Sequence, residues 1–519
     1  MRALPSDIRA IIISPTRELA EQIADEAKKL VRDTGLVVQT AVGGTQKRGM
    51  LQQLQRQGCH ILVGTPGRLN DILSDDYSGV KAPNLSAFVM DEADRLLDQG
   101  FWPEIEGIMQ LLPDVQDRDR QTLMFSATVP TEVVKLVRRT LKPGFKFVKC
   151  VKDDEEPTHA RVPQKVVRVA GLENYFPTLL ELLQREKRAG GEEKPLKALV
   201  YFNTTADVQL ATSLMKELGG QAPVPTRFIE GIHSKLTQQQ RTRASDNFRR
   251  CTSGILLSSD VTARGMDFPN VTHVIQVGLA QSREQYIHRI GRTGRAGKEG
   301  QGWLILSPLE QGEARARLRG LPIQEDNTLE TANIDMSQPA QVPMAVANIL
   351  NDVSSAMKFV PRGEMVKVYM GQLGAFQYVA NKQKLIDAMN RLSKWGFQMD
   401  TPPSINRAMA QRLGLLRLQG VVIQDSRGFD DDRRGSDRFS DRMDDAFSGE
   451  DRRSSGFGGR GGDRQSSGRV RGGFGGNRGG DRRGGDRGGF GGSRGGFGGD
   501  RGGSRGGSSR YGGMSREFR

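Results

Sequence analysis

Cysteine is scarce in this chain. The three that occur among 519 residues, Cys59, Cys150 and Cys251, are odd in number, lie far apart and form no C-x-x-C pair. That spacing excludes a disulfide framework and a cysteine zinc site, and a reducing compartment is expected. The five histidines show no metal-ligand spacing either. No apolar run approaches the ~18 residues of a membrane-spanning helix. The opening residues, Met1-Arg2-Ala3-Leu4-Pro5-Ser6-Asp7, have the character of neither a signal peptide nor a transit peptide. They lead within a few residues into an apolar run, an abrupt start for a domain. Hydrophobic residues make up only 36 %, and the shortage is concentrated from about residue 427 onward, where almost nothing can be buried.

What the chain does have is positive charge, a formal net of +15 and a pI near 9.8. Such a balance favours a polyanionic partner, nucleic acid before an anionic membrane surface, although charge alone also fits an ordinary basic protein. The length accommodates two or three domains with tails.

Two α/β units are readable. In the first, Ile8 to Ser14 reads as a buried strand and Arg17 to Val31 as a helix. Further strands read at Val37–Val42, His60–Val63, Ala87–Met90 and Thr122–Phe125. A charged segment, Lys152–Pro157, marks a linker. The second unit begins near Gln164, with strands at Ala198–Phe202, Thr226–Gly231, Gly254–Leu257, His273–Val277 and Trp303–Leu306 and a helix from Gln238 to Phe248. Strands alternating with helices imply parallel sheets covered on both faces. Ligands of such sheets bind outside the carboxyl ends of the strands. The expected divisions are 1–150, a linker 151–163, 164–310, a mostly helical extension 311–425 and a polar tail 426–519. Within that tail, residues 451–519 hold 28 Gly, 16 Arg and no Lys against 6 acidic residues, a net charge of +10. Eight Arg-Gly-Gly triplets are interleaved with Phe457, Phe474, Phe490 and Phe497, a composition expected to stay disordered and suited to nucleic acid through charge and stacking, although a solubilising linker has the same character.

Polar clusters follow the strands. Asp91-Glu92-Ala93-Asp94 comes after Ala87–Met90. An acidic pair there can hold Mg²⁺ through Asp91 and orient an attacking water through Glu92, although acidic helix starts are common for dipole reasons alone. Ser126-Ala127-Thr128 offers two hydroxyls at a strand end, where turn and cap residues are also usual. Ser259-Asp260-Val261-Thr262-Ala263-Arg264-Gly265-Met266-Asp267 carries groups suited to phosphate and ribose. The most specific run is His288-Arg289-Ile290-Gly291-Arg292-Thr293-Gly294-Arg295. Its glycines permit a tight turn, and Arg292 and Arg295 can converge on one anion. Three more loops, Pro15-Thr16-Arg17-Glu18-Leu19-Ala20, Gly43-Gly44 and Thr65-Pro66-Gly67-Arg68-Leu69, offer N–H groups, a hydroxyl or an Arg near helix starts. These suit the phosphates of a strand lying across the sheet ends, although each alone fits a helix cap.

The ordered set from Pro15 to Arg295, with Val200–Thr205 and His233–Arg241 between, resembles the DEAD-box RNA helicases of superfamily 2 over roughly residues 8 to 310. The resemblance implies an α/β fold with two RecA-like parallel-sheet domains, ATP and Mg²⁺ as cofactors, RNA as partner and no membrane. By it, Asp91 and Glu92 serve Mg²⁺ and water, Ser126 and Thr128 couple hydrolysis to RNA release, and His288 lies near the Ser-Ala-Thr loop. Asp267 lies near the ribose, with Gly265 in the nucleotide-binding loop, and Arg292 and Arg295 lie on the γ-phosphate. Thr16, Arg17, Gly44, Thr65, Arg68, Thr204 and Thr262 are implied RNA contacts, and Gln238 and Arg241 match the family's QxxR element. Such proteins bend a bound strand so that it no longer fits a duplex, and sensing of the 2′-OH favours RNA over DNA. The segments Gly374–Tyr378 and Lys394–Phe397, with the basic tail, resemble the fungal mitochondrial group, which assists group I and II intron splicing and mitochondrial translation.

One departure stands out. The P-loop G-x-x-x-x-G-K-[ST], whose N–H groups and Lys cradle the β/γ-phosphates, has no match, nor has the adenine-reading Q motif. In the family both precede the Pro15 loop. The first domain is therefore expected to be incomplete, with strand groups left unpaired and low stability, as in a truncated product. Two other readings follow: an RNA-binding or annealing protein that does not use ATP, and a DNA helicase.

Overall fold

A computed structural model of the chain describes residues 7–98, 100–113, 119–126, 131–149, 161–191, 195–262, 266–295, 298–339 and 341–424. Residues 151–160 of the expected linker and the whole expected tail lie outside the described residues.

Five short apolar runs build the first sheet: β1 (Ala10–Ile13), β2 (Val38–Ala41), β3 (Ile61–Gly64), β4 (Ala87–Met90) and β5 (Gln121–Met124). They are parallel in the order β2-β3-β1-β4-β5. Parallel neighbours need crossovers, and the helices Arg17–Leu30, Lys47–Gln57, Pro66–Ser74 and Trp102–Leu111 supply them. Covered on both faces, the strands keep Ile11, Ile13, Leu62, Val63, Phe88 and Met90 wholly out of water. The two sheet edges differ. Three of the four β2 residues are buried, whereas none of β5 is. The open edge next to the acidic loop is therefore the less covered one.

The second sheet has seven parallel strands: β6 (Gln164–Arg168), β7 (Lys197–Phe202), β8 (Ile229–Ile232), β9 (Gly254–Ser258), β10 (His273–Val277), β11 (Gln301–Leu306) and β12 (Ile323–Glu325). Their order is β12-β6-β11-β10-β7-β9-β8. Here the structure differs from the sequence reading in three places. β6 was not expected, because its apolar pair Val166-Val167 is flanked by polar residues. β12 lies beyond residue 310, where the domain was expected to end, and three residues are too few to show alternation. The strand expected from Thr226 begins only at Ile229, after a 3₁₀ turn over Thr226–Phe228 that Pro225 introduces.

The helices Met344–Met357, Arg362–Ala375 and Lys382–Arg391 do not form a separate body. Val353, Val368, Tyr369, Leu373 and Met389 share one apolar core with Leu179, Leu183, Val208 and Leu214 of the second domain. Trp303 lies wholly buried in that core, with the ammonium of Lys165 4.6 Å and the guanidinium of Arg185 5.1 Å from its ring centroid.

Candidate active site and nucleic-acid interface

All strands of a parallel sheet end on one side, so strand order alone decides which loops become neighbours. In the first domain β2, β3 and β1 are adjacent, and their loops carry Gly43-Gly44, the Thr65–Leu69 turn and the Pro15–Ala20 turn. The loops after β4 and β5 carry the acidic tetrapeptide and Ser126. These motifs form two groups that meet between β1 and β4, so that the Pro15–Ala20 turn and not the Thr65–Leu69 turn neighbours the acidic loop.

In the first group, Thr16 caps the helix Arg17–Leu30 by accepting from Leu19 N–H at 3.3 Å. Arg17 lies against the glycine pair: a Cβ built on Gly44, whose φ is +75°, would stand 2.1 Å from Arg17 Nη1. Thr65 Oγ1 accepts from Gly43 N–H at 3.4 Å. Arg68 reaches the same loop, donating to Thr45 O at 3.0 Å and Thr45 Oγ1 at 3.3 Å. Two guanidinium groups are thus braced on one glycine turn. Gly44→Ala combines a strained left-handed backbone with displacement of Arg17. It is expected to lower affinity for single-stranded RNA about tenfold, read by fluorescence anisotropy at a salt concentration that suppresses charge-driven tail binding. Unchanged affinity would remove Arg17 from the RNA contacts.

In the second group Asp91 N–H donates to Ile13 O at 2.9 Å, and Asp91 Oδ1 accepts from Glu92 N–H at 3.0 Å. Burial pushes the Asp91 carboxyl above the usual carboxylate range; the Glu92 N–H pulls it back, and Asp94 adds repulsion. Glu92 has φ +50°, a left-handed conformation that costs a non-glycine residue energy and is typical of functional loops. Asp94 N–H donates to Ser126 Oγ at 3.3 Å, which joins the two loops. Thr128 and Gly265 lie outside the described residues.

The second domain closes on these groups. His288 Nε2 stands 3.6 Å from Asp94 Oδ2, so it reaches the Ser126 loop through Asp94. Arg95 Nη2 donates to Asp260 O at 3.0 Å, and Asp260 Oδ1 in turn takes Arg289, fully buried, at 2.7 Å. Arg292 donates to Met266 O at 2.8 Å and His288 O at 3.2 Å. Burial and the neighbouring Arg295 lower its guanidinium to about 10, while Tyr201, Glu92 and Asp267 act in the opposite sense. It stays cationic at neutral pH, within the field of Glu92. Arg295 pairs with Asp267 Oδ1 at 3.0 Å. Of the two glycines in this run only Gly294, at φ +66°, uses the left-handed region; Gly291 is at φ −64°.

Two implied RNA contacts have hydroxyls engaged within the protein. Thr262 is wholly buried, with its Oγ1 2.6 Å from Ser258 Oγ and its carbonyl accepting from Tyr201 OH. Thr204 caps the helix Thr205–Glu217 and gives its own proton to Asp207. The strongest link between the domains was not foreseen. Arg241 pairs with Glu18 at 2.7 Å, with side-chain exposures of 7 % and 3 %. Gln238 donates to Glu18 and Glu21 at 3.2 and 3.1 Å, Thr242 to Glu21 at 3.2 Å, and Asp267 N–H to Gln22 at 3.3 Å. Burial, then the charge of Glu18 among others, pushes Glu21 up. Glu18, Glu21 and Gln22 share one end of their helix, and that acidic spacing opposite the QxxR element was the signal available in the sequence.

Two parallel-sheet domains whose strand-end loops face each other, acidic on one side and arginine-rich on the other, define a two-domain RecA-like architecture. Family models agree: DEAD/DEAH box helicase matches residues 2–137 and Helicase conserved C-terminal domain matches residues 175–297. The mitochondrial ATP-dependent RNA helicase mss116 of Aspergillus fumigatus is 51 % identical over 451 residues, covering 84 % of this chain and 69 % of the relative. Its counterpart cyt-19 of Neurospora crassa is 49 % identical over 428 residues, covering 82 % and 67 %. The structure of Mss116p bound to ssRNA and AMP-PNP superposes with a TM-score of 0.66 at 27 % identity, covering 79 % of this chain and 80 % of that one. The chain belongs to the DEAD-box ATP-dependent RNA helicase family.

Proposed function

We propose that the protein remodels RNA duplexes by coupling ATP hydrolysis to closure of its two domains on a single strand. The observation that carries this reading is the meeting of the second domain's arginine-rich loops with the acidic loop of the first, His288 Nε2 standing 3.6 Å from Asp94 Oδ2 and Arg95 Nη2 donating to Asp260 O at 3.0 Å, with the braced arginines Arg17 and Arg68 on the neighbouring loops. A carboxylate that burial pushes toward its neutral form gains from a divalent cation beside it, which fits Asp91 to Mg²⁺. Mg²⁺ bound with a nucleotide commonly rests on one or two carboxylates and substrate phosphates. Asp267, Arg292 and Arg295, with Gly265 of the same loop, would hold ATP, which when bound with Mg²⁺ supplies the phosphoanhydride to be cleaved. Glu92 then orients and deprotonates the water, Arg292 and Arg295 neutralise charge on the transferred group, and Ser126, Thr128 and His288 relay the change through Asp94. Thr16, Arg17, Gly44, Thr65 and Arg68 line the RNA path in the first domain. In the second domain the Thr204 turn acts through the N–H groups of the helix it caps, and Thr262 acts by shaping its loop. Relatives of about 50 % identity are named as mitochondrial, which supports a mitochondrial location; the matrix, with a role in intron splicing and translation, follows from the resemblance of the helical extension and tail to the fungal mitochondrial group, and the Arg-Gly-Gly tail tethers RNA without sequence preference.

The test is ATP hydrolysis with and without single-stranded RNA, for the chain alone and joined to a P-loop-bearing segment, each beside Glu92→Gln. The expected result is RNA-stimulated turnover in the P-loop-bearing form, lost in Glu92→Gln. Turnover by the chain alone would mean that other residues cradle the phosphates. Absence of turnover in both forms would overturn the reading.

A further inference from the structure

The helix Thr205–Glu217 begins at a turn whose side-chain polar groups are engaged by neighbours. Thr204 Oγ1 accepts from Asp207 N–H at 3.1 Å and donates to Asp207 Oδ2 at 2.6 Å. A hydroxyl has one proton to give, so Thr204 cannot also donate to a phosphate while Asp207 is ionised. What the turn offers an external anion is the backbone N–H of Thr205 and Ala206, orphaned by helix geometry, beside the hydroxyls of Thr205 and Ser234, 3.4 Å apart. The direction of those groups depends on how firmly Asp207 holds the cap.

Asp207 is buried, and burial raises its carboxyl to about 6, against the opposing pull of Thr204 and Gln372. Gln372 belongs to the extension helix Arg362–Ala375, 165 residues away in sequence. Its Nε2 donates to Asp207 Oδ1 at 2.9 Å and Oδ2 at 2.8 Å. The same helix lies directly on the turn: a Cβ at Gly371 would stand 3.5 Å from Thr204 Oγ1. Glu310 also faces the site and adds repulsion. Its own oxygens are taken up by Leu279 N–H at 2.7 Å, Ser307 N–H at 3.0 Å and the Tyr175 hydroxyl.

We propose that Gln372 is a positioning residue for RNA binding: by clamping the Asp207 carboxylate, it fixes the Thr204 turn, so that the helical extension sets the geometry of the second domain's RNA contact. This rests on the reading, given above, that the Thr204 turn meets RNA. Removing the amide leaves a buried carboxylate with fewer donors. Asp207 then takes up its proton at a higher pH, and its neutral carboxyl accepts more weakly from Thr204.

The experiment uses the full chain and a ten-nucleotide oligouridylate. Hydrogen exchange is followed in the peptide covering residues 203–208, and anisotropy gives affinity from pH 5.5 to 8. In the unaltered chain RNA protects the peptide, and affinity is level above pH 7 and falls below about pH 6. Gln372→Leu is expected to lose the protection, to weaken binding at pH 7 about tenfold and to move the fall to higher pH. In an Asp207→Asn background the fall disappears, and adding Gln372→Leu changes affinity less than twofold. Protection that survives Gln372→Leu, or equal losses from Gln372→Leu with and without Asp207→Asn, would overturn the positioning role, whatever the change in melting temperature. Absence of protection in the unaltered chain would reject RNA contact at this turn, and the positioning role with it, while leaving the first-domain contacts standing.

Discussion

Arg241→Ala is expected to separate the two domains. The substitution leaves Glu18 buried without its countercharge, and removing one partner of a buried pair costs ~3–5 kcal/mol. Because Glu18 and Arg241 belong to different domains, the cost falls on closure and not on the fold of either domain. A bound strand that must touch both domains loses a corresponding part of its affinity, on the order of 10²- to 10³-fold. Small-angle scattering with and without single-stranded RNA would show a larger radius of gyration for the variant, with each domain's unfolding midpoint retained. Adding Glu18→Gln removes the stranded charge and is expected to restore part of the closure. An Arg241→Ala chain that scatters like the original would mean that Gln238, Thr242 and the Asp94–His288 contact suffice.

Arg292→Ala is expected to lower RNA-stimulated ATP hydrolysis, in the P-loop-bearing form, by ~10³-fold or more, the scale set by arginines that neutralise a transferring phosphoryl group. Its aim is set in advance by two carbonyls, Met266 O and His288 O, so no reorganisation is needed when charge develops. Lysine has neither the planar fork nor the reach to satisfy both carbonyls and a phosphate, and Arg292→Lys is expected to recover little. Arg295 differs: its pairing with Asp267 is largely exposed and contributes little to stability, so Arg295→Ala is expected to be milder. RNA affinity within threefold of the original for both variants would assign the loss to hydrolysis. A comparable fall in RNA affinity would instead mean that Arg292 holds the domains together.

Much of this was open to inspection in the chain itself. Apolar runs of four to six residues between helical periods betray buried parallel strands, because side chains alternate faces every residue in a strand and recur every three to four in a helix. Ala87–Met90 and His273–Val277 were read to the residue, and the loops that follow strands carried the motifs that define the family. Composition likewise separated the Arg-Gly-Gly tail from everything that can bury a core.

Tertiary structure alone decided which of these loops are neighbours. Sequence order runs β1 to β5, whereas the order β2-β3-β1-β4-β5 puts the Pro15–Ala20 loop after β1, and not the Thr65–Leu69 loop after β3, beside the acidic loop. It also chose partners across long separations: Arg241 for Glu18 over 223 residues, and Gln372 for Asp207 over 165. It buried Thr262 and engaged the Thr204 hydroxyl with Asp207, and it added β12 to a sheet whose domain was expected to end before it. Local periodicity is written into neighbouring residues and can be read from them. A buried charge or amide finds its partner only when the chain has folded far enough to exclude water from both, and no short window of sequence records which distant residue that will be.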